Sequence, residues 1–189
     1  MRQSLKALFI FIIGIGALVA RPQVAIHTNY GIIEVELYNK KAPVSTANFL
    51  KYARNGFYNG TVFHRVIRNF MIQGGGFDKQ YRQKRTMAPI KNEADNGLKN
   101  NRGTLAMART GVVHSATSQF FINVVDNQFL NYKNSSPQGY GYAVFGRVTK
   151  GMSIVDKIRR VQTGVCAGRL PNCPKKPVVI LKTRVIKNR

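Results

Sequence analysis

The sequence predicts a mainly β protein in which short strands close into a barrel or pack as a sandwich around one core. Short apolar segments rich in β-branched and aromatic residues recur along the chain, and only two segments have the pattern of a helix. Hydrophobic residues make up 44% of the 189 residues, which is enough to bury a core, and the length suits one domain. The sequence contains no internal repeat and no linker that would divide this domain.

The first twenty residues have the layout of a secretory signal. Residues 1–6 carry two cations and no acid, and residues 7–20 then lack charged and strongly polar side chains. As a helix, this apolar run would extend about 21 Å, which is less than the roughly 30 Å hydrocarbon core of a bilayer. We therefore predict cleavage after Ala20, which leaves 21–189 as one exported domain. An uncleaved anchor stays the alternative, because Leu18 is larger than a cleavage site favours.

Eight segments of the remaining chain are predicted strands. They are residues 24–28, 32–38, 61–67, 70–73, 104–108, 119–124, 142–148 and 178–181. In the second strand, Glu34 and Glu36 alternate with apolar residues, so we interpret them as a solvated face rather than a catalytic pair. Pro43 begins a predicted helix that Gly56 ends, and residues 153–159 form the second helix.

The two cysteines, Cys166 and Cys173, lie close together in a segment rich in glycine and proline, which predicts a loop. An exported protein meets an oxidising compartment, where two neighbouring cysteines favour a disulfide. Two free thiols are the alternative. A metal site is not expected there, because the loop contains no histidine or carboxylate to complete it.

The charge of the chain is strongly positive. Lys and Arg number 30 against 7 Asp and Glu, which gives a net charge of +23. Such a surface would support weak binding to polyanions, over about 10 Å at 0.1 M salt. The cations are spread along the chain and are not interleaved with aromatic residues in a known nucleic-acid motif. We therefore interpret the charge mainly as a solvated surface, and expect no specific nucleic-acid partner.

Several enzyme classes are disfavoured because their motifs are missing from the sequence. HExxH, CxxC, the Walker loop and GxSxG are all absent, and Gly74-Gly75-Gly76 lacks the Lys-Ser/Thr that a P-loop needs. Covalent and acid–base hydrolysis therefore have weak support in the sequence. The remaining Arg, Gln, Phe and Met side chains suit a reaction controlled by shape and hydrogen bonds.

Five segments, in order along the chain, carry a recognisable pattern. They are FHRVI (63–67), FMIQGG (70–75), MAR (107–109), SQFFI (118–122) and VFG (144–146). They resemble the signature blocks of the cyclophilins, a family of peptidyl-prolyl cis–trans isomerases, and residues 91–98 and 121–127 are closer still to the exported cyclophilins of Gram-negative bacteria. The resemblance implies a closed eight-stranded antiparallel β-barrel with two helices, no cofactor, and a periplasmic monomer that assists the folding of exported proteins.

The resemblance also implies a groove for proline-containing segments of unfolded polypeptides. Arg65 is the implied catalytic residue, and His64 lies at the rim of the groove or beneath it. The implied groove residues are Phe70, Met71, Gln73, Ala108, Arg109, Gln119, Phe121, Phe129, Leu130 and Tyr142. Without the resemblance, the apolar members would be interpreted as core and Arg65 as one of many surface cations.

The residue types suit the implied reaction for a physical reason. Amide resonance sets a barrier of roughly 18–20 kcal/mol to rotation about a peptide bond. When the X–Pro bond is twisted, resonance is lost and the proline nitrogen has a free lone pair, to which Arg65 can donate a hydrogen bond. A module that grips extended segments without turnover is the alternative function.

Two groove positions depart from the eukaryotic members of the family. Phe129 and Tyr142 stand where Trp and His are usual. Phe129 lacks the indole N–H that cyclosporin uses, so we expect weak inhibition by that drug.

Overall fold

The computed structural model describes residues 21–168 and 170–186 of the chain. The predicted leader, residues 1–20, lies outside the described residues, so its cleavage after Ala20 stays a prediction. Within the described ranges, no helix is both long enough and apolar enough to span a membrane.

Ten strands and two helices make up the described part of the chain. The strands are β1 (Gln23–Thr28), β2 (Gly31–Leu37), β3 (Arg65–Ile67), β4 (Met71–Gly74), β5 (Thr104–Met107), β6 (Phe120–Asn123), β7 (Val144–Lys150), β8 (Thr163–Cys166), β9 (Leu170–Pro174) and β10 (Ile180–Ile186). The helices are α1 (Pro43–Arg54) and α2 (Met152–Ile158), and a 3-10 turn covers Gln128–Leu130.

Eight of the strands form one antiparallel sheet in the order β10-β1-β2-β7-β5-β6-β4-β3. The sheet curls until the chain segments beside its two edge strands meet. There the Phe63 N–H donates to the Val178 carbonyl (2.9 Å) and the Ile180 N–H donates to the Thr61 carbonyl (2.8 Å). The predicted mainly β fold with eight antiparallel strands and two helices is confirmed. The barrel is joined at this seam by a few hydrogen bonds and not by a continuous ladder, so "closed" overstates it.

The strand that carries Arg65 is shorter than the sequence predicts. Thr61 and Val62 form isolated bridges with Asp78 and Val179, so they pair away from the main ladder. β3 consequently begins only at Arg65.

The segment around the cysteines is a hairpin, where the sequence predicts a loop. β8 and β9 form their own two-stranded sheet. Ala167 and Gly168 have positive φ angles of 48° and 68°, and this turn reverses the chain so that the flanking residues can pair. Cys166 is bonded to Cys173 across the hairpin.

In β2 the apolar residues face the core and the acidic residues face outward, as their alternation in the sequence predicts. Ile33, Val35 and Leu37 are fully buried, whereas the carboxylates of the intervening residues form ion pairs on the outer face. Glu34 meets Lys150 at 3.2 Å, and Glu36 meets Arg21 at 2.7 Å and Arg147 at 3.5 Å. These two acids therefore belong to the solvated surface.

Segment 91–98 joins the first helix to the strands near the site. The Glu93 carboxylate accepts hydrogen bonds from the Val44 and Ser45 N–H groups (2.9 and 2.8 Å), so it caps α1 from a distant part of the chain. On either side, Asn92 donates to the Gly141 carbonyl (3.1 Å) and Asn96 donates to the Val144 carbonyl (3.0 Å). This block of sequence thus ties the helix to the start of β7.

Two separate apolar clusters share the sheet. Inside the barrel, Phe49 of α1 packs edge-on against Phe120, with ring centroids 5.2 Å apart. The next residue of β6, Phe121, belongs to the second cluster because successive side chains of a strand point to opposite faces. The second cluster is therefore formed on the outside of the barrel.

Candidate functional site

The second cluster is an apolar patch on the outer face of β4, β5, β6 and β7. We call it the outer pocket, and define it by the buried side chains of Met71, Ala106, Phe121, Leu130 and Val144. Partly buried hydrophobic residues pack around it, namely Tyr38, Ile67, Phe70, Leu98, Ala108 and Tyr142. Six of the ten predicted groove residues thus meet in one cluster: Phe70, Met71, Ala108, Phe121, Leu130 and Tyr142.

A single row of paired residues places Arg65 beside the outer pocket. Across the antiparallel ladders, Arg65 pairs with Gln73, Gln73 pairs with Phe121, and Phe121 pairs with Ala106. Directly opposed residues of antiparallel strands project to the same face of a sheet. The four side chains therefore follow one another across the outer face, from the edge strand β3 to β5.

Two glutamines connect the guanidinium of Arg65 to the neighbouring strands. Arg65 donates to the Gln73 side-chain oxygen at 3.4 Å, and Gln73 donates to the Gln119 side-chain oxygen at 2.8 Å. The Arg65 guanidinium carbon also lies 5.8 Å from the centroid of the Phe70 ring. Within the described residues Arg65 forms no salt bridge, so its positive charge is available to a ligand.

The 3-10 turn supplies both the floor and the rim of the pocket. Leu130 is buried among the pocket residues, whereas Phe129 is 63% exposed and stacks on Phe70 with centroids 5.5 Å apart. The structure therefore places Phe129 at the rim, where it extends an apolar wall toward solvent.

Buried amides hold this turn against the sheet. The Asn127 side chain donates to the Phe70 carbonyl (2.8 Å) and to the Asn123 side-chain oxygen (2.7 Å), and Asn123 donates to Asn100 (3.2 Å). Buried polar groups linked in this way fix one arrangement of the backbone. No pattern in the sequence indicates this role, because Phe70 and Asn100 lie far from Asn127 and Asn123 along the chain.

Arg109 has a role that the sequence analysis did not anticipate. Its guanidinium donates to the carbonyls of Gly141 (2.9 Å), Thr110 (3.0 Å) and Pro137 (3.0 Å), and lies over the Tyr142 ring at 4.8 Å. The side chain thus fastens a loop rather than pointing freely into the groove. The anchored Tyr142 ring meets the Phe121 ring edge-on, with centroids 5.8 Å apart.

His64 lies beneath the surface, and not at the rim of the groove. It is 5% exposed, and its ring packs on Phe77 with centroids 4.5 Å apart. Burial lowers the pKa of His64 to about 4, because the charged imidazolium would lose its hydration. The residue is therefore neutral at physiological pH and serves as a packed side chain behind β3.

The buried His64 predicts a pH-dependent stability. Its folded pKa lies below the unfolded value near 6.5, so the unfolded state binds the extra proton as the pH falls. We expect the free energy of unfolding to fall between about pH 6.5 and 4, by up to about 3 kcal/mol, and to level off below that range. Urea denaturation of the protein and of His64→Asn at several pH values measures this slope, which the variant should lose.

An unchanged slope in His64→Asn would show that the burial of this ring has no energetic consequence.

Ala106 and Val144 are pocket residues that the sequence analysis did not select. Ala106 lies two positions before the predicted Ala108, and residues at that spacing share one face of a strand. The period-two pattern could have identified Ala106. The same spacing relates Val144 to the predicted Tyr142 within the predicted strand 142–148, so the pattern could have identified Val144 as well.

A shallow depression of about 580 Å³ lies elsewhere on the molecule, on the outer face of β1, β2 and β10. It is lined by Ala25, His27, Ile32, Glu34, Arg184, Val185 and Ile186. None of the predicted groove residues lies on these strands, and Glu34 is engaged by Lys150. The row that begins at Arg65 is therefore the better candidate for the functional site.

Comparison with known proteins finds similar chains of one family. Residues 23–185 match the family model of the cyclophilin-type peptidyl-prolyl cis-trans isomerases. A peptidyl-prolyl cis-trans isomerase of Acinetobacter baylyi is 60% identical over 88% of this chain and 86% of its own length. Peptidyl-prolyl cis-trans isomerase B of Escherichia coli is 59% identical over 83% of this chain and 95% of its own length.

A solved structure shares the fold. A Cryptosporidium parvum cyclophilin-type isomerase, crystallised in the presence of the dipeptide Ala-Pro, has a TM-score of 0.70 and 27% identity. The match covers 88% of this chain and 99% of that one.

Proposed function

Because this chain belongs to the cyclophilin family of peptidyl-prolyl cis-trans isomerases, we propose that Arg65 and the outer pocket form the site at which an X–Pro bond is isomerised. The observation that carries the proposal is the row from Arg65 through Gln73 to Phe121, which sets a fixed cation beside an apolar pocket. A proline segment offers the two matching groups: an apolar ring and an imide nitrogen.

The proposed reaction forms and breaks no covalent bond. Met71, Phe121 and Leu130 hold the pyrrolidine ring, so the carbonyl group before the proline rotates while the ring stays still. At the twisted geometry the imide nitrogen becomes a hydrogen-bond acceptor, and Arg65 donates to it. Since this bond barely exists in the planar ground state, it lowers the barrier instead of merely tightening substrate binding.

Hydrogen-bonding groups around the pocket orient the chain on either side of the proline. Gln73 lies between Arg65 and Gln119, and its amide can also face a peptide group of the substrate. The backbone of Arg109 follows Ala108 at the pocket wall, and supplies further donors and acceptors. This arrangement needs only a short extended segment, so we propose that the substrates are proline-containing segments of unfolded polypeptides.

A peptide titration followed by backbone NMR tests where the substrate binds. An Ala-Pro-containing tetrapeptide should shift the resonances of β4, β6 and the 3-10 turn. Shifts confined to the depression on β1, β2 and β10 would reject the proposed site.

We further propose that the protein acts in the periplasm, where it assists the folding of exported proteins. The basic start and apolar run of residues 1–20 support export, with residues 21–189 as the mature domain. Intact-mass measurement of the protein from the periplasmic fraction is expected to show a chain beginning at Arg21. A full-length chain that sediments with membranes would instead indicate an anchored enzyme.

If the protein is exported, the oxidation state of its two cysteines can also be predicted. Cys166 and Cys173 should be disulfide-bonded in the exported protein, so thiol counting on unreduced, denatured protein should find no free thiol. In the chain-entropy model a loop this short contributes roughly 2–3 kcal/mol, so Cys166→Ser/Cys173→Ser should lower stability by that amount. Two reactive thiols would contradict the prediction. The isomerase rate should be unchanged, since neither cysteine belongs to the outer pocket.

A further inference from the structure

Three consecutive glycines follow Gln73, and at each of them a Cβ would lie closer than 3.0 Å to a neighbouring side chain. A Cβ at Gly74 would lie 2.9 Å from the Phe63 ring, and one at Gly75 would lie 2.8 Å from the Tyr58 ring. Gly75 also has a positive φ of 84°. Both glycines therefore serve the packing of the barrel core.

Gly76 differs from the other two because it touches the candidate site. A Cβ at this position would lie 2.5 to 2.7 Å from Cγ, Cδ and Nε2 of Gln119, which is far closer than atoms approach in folded proteins. Gly76 is buried and does not have a positive φ, so its backbone would accept an alanine. What the position demands is space for the Gln119 side chain.

We propose that Gly76 is a positioning residue for the isomerase reaction, which acts on Arg65 through Gln119 and Gln73. The missing side chain lets the Gln119 amide lie directly on the backbone of Gly76. In that position the Gln119 oxygen accepts the hydrogen bond from Gln73 at 2.8 Å. The inference rests on the proposed role of Arg65.

The chemistry of the two amides explains how the effect reaches Arg65. An amide has a donor end and an acceptor end, whereas a guanidinium can only donate. Because the Gln73 NH2 group is engaged by Gln119, the Gln73 oxygen is left facing Arg65, at 3.4 Å. If Gln119 is displaced, Gln73 can rotate and present its NH2 group to the guanidinium, so the preferred position of Arg65 is lost.

Gly76→Ala is the direct test. The clash falls on the Gln119 side chain from Cγ outward and not on the backbone, so we expect the fold to persist while Gln119 moves to another rotamer. The expected result is a fall in kcat of about 3- to 10-fold, the range of one neutral hydrogen bond, with little change in KM. Gly111→Ala is the matched control, since no atom lies within 4 Å of a Cβ there and it lacks a positive φ; its kcat should equal that of the wild type.

A double-mutant cycle separates positioning from a general structural effect. In the Gln119→Ala background the clash is absent, so adding Gly76→Ala should lower kcat no further. Two substitutions of Gln119 give an independent test if Gly76→Ala does not fold. Gln119→Glu keeps an acceptor for Gln73 and should retain more activity than Gln119→Leu, which has none.

The outcomes distinguish this inference from the proposed function. If Arg65→Ala itself keeps the wild-type rate, the proposed role of Arg65 is wrong, and the positioning role of Gly76 is wrong with it. If Arg65→Ala has a low kcat but Gly76→Ala has the same kcat as Gly111→Ala, only the positioning role of Gly76 is overturned. Two other results would also overturn the positioning role. One is an equal fall in kcat when Gly76→Ala is added to the wild type and to Gln119→Ala. The other is an equal kcat in Gln119→Glu and Gln119→Leu.

Discussion

Replacing Arg65 with alanine is expected to lower kcat/KM for a short X–Pro peptide by a factor of about 30 to 1,000. This range corresponds to the loss of one charge-assisted hydrogen bond, about 2–4 kcal/mol, in a partly desolvated site. The loss should fall on kcat, because Arg65 meets the imide nitrogen only when the bond is twisted. Protease-coupled or NMR-detected isomerisation, with the dissociation constant measured separately, gives both quantities.

Two further arginine substitutions sharpen this result. Arg65→Lys should recover only part of the rate, since an ammonium differs in reach and cannot match the planar guanidinium. Arg68→Ala removes an exposed cation from the turn that follows β3, and should leave the rate close to wild type. A similar loss in Arg68→Ala would show that net charge, rather than the position of Arg65, controls the rate.

Phe121→Ala is expected to weaken peptide binding and to lower stability together. The ring is 4% exposed and contributes to the outer pocket in the ground and transition states alike. Its loss should raise the dissociation constant by about 5- to 150-fold, because roughly 1–3 kcal/mol of apolar contact disappears. The free energy of unfolding should fall by about 3 kcal/mol, at the low end for a buried phenylalanine, since water can enter the vacated pocket.

The matched control for Phe121 is the exposed ring at the rim. Phe129→Ala removes a side chain of the same type that is 63% exposed, so its effect on stability should be small. Titration calorimetry with the peptide and urea denaturation measure the two effects. A wild-type dissociation constant for Phe121→Ala would mean that the proline ring binds elsewhere.

The sequence is informative about the barrel because its strands are half-buried. In β2 the alternation of apolar and acidic residues predicts which face is buried, and the structure agrees from Ile33 to Leu37. The hairpin at Cys166 and Cys173 was not predicted, since its glycine and proline content resembles that of a loop. The turn between its strands includes two residues of positive φ, Ala167 and Gly168, and of these only Gly168 gives a signal in the sequence.

The candidate site is harder to predict without a family resemblance. Phe120 and Phe121 are adjacent residues of one type, and all four residues of β6 are buried, so burial cannot reveal which ring faces the pocket. Arg65 is one of 30 cations, and only its pairing with Gln73 across a ladder distinguishes it. The contact between Gly76 and Gln119 joins residues far apart in sequence, so composition and spacing carry no trace of it.

The central claim is that Arg65 stabilises the twisted bond and does not simply hold the substrate. NMR exchange spectroscopy on an X–Pro peptide with catalytic amounts of enzyme measures the cis–trans interconversion rate in the bound state, separately from the two dissociation constants. For Arg65→Ala we predict a bound-state rate lower by a factor of about 30 to 1,000, with dissociation constants within a few-fold of wild type. A wild-type bound-state rate accompanied by weakened binding of both isomers would contradict the account.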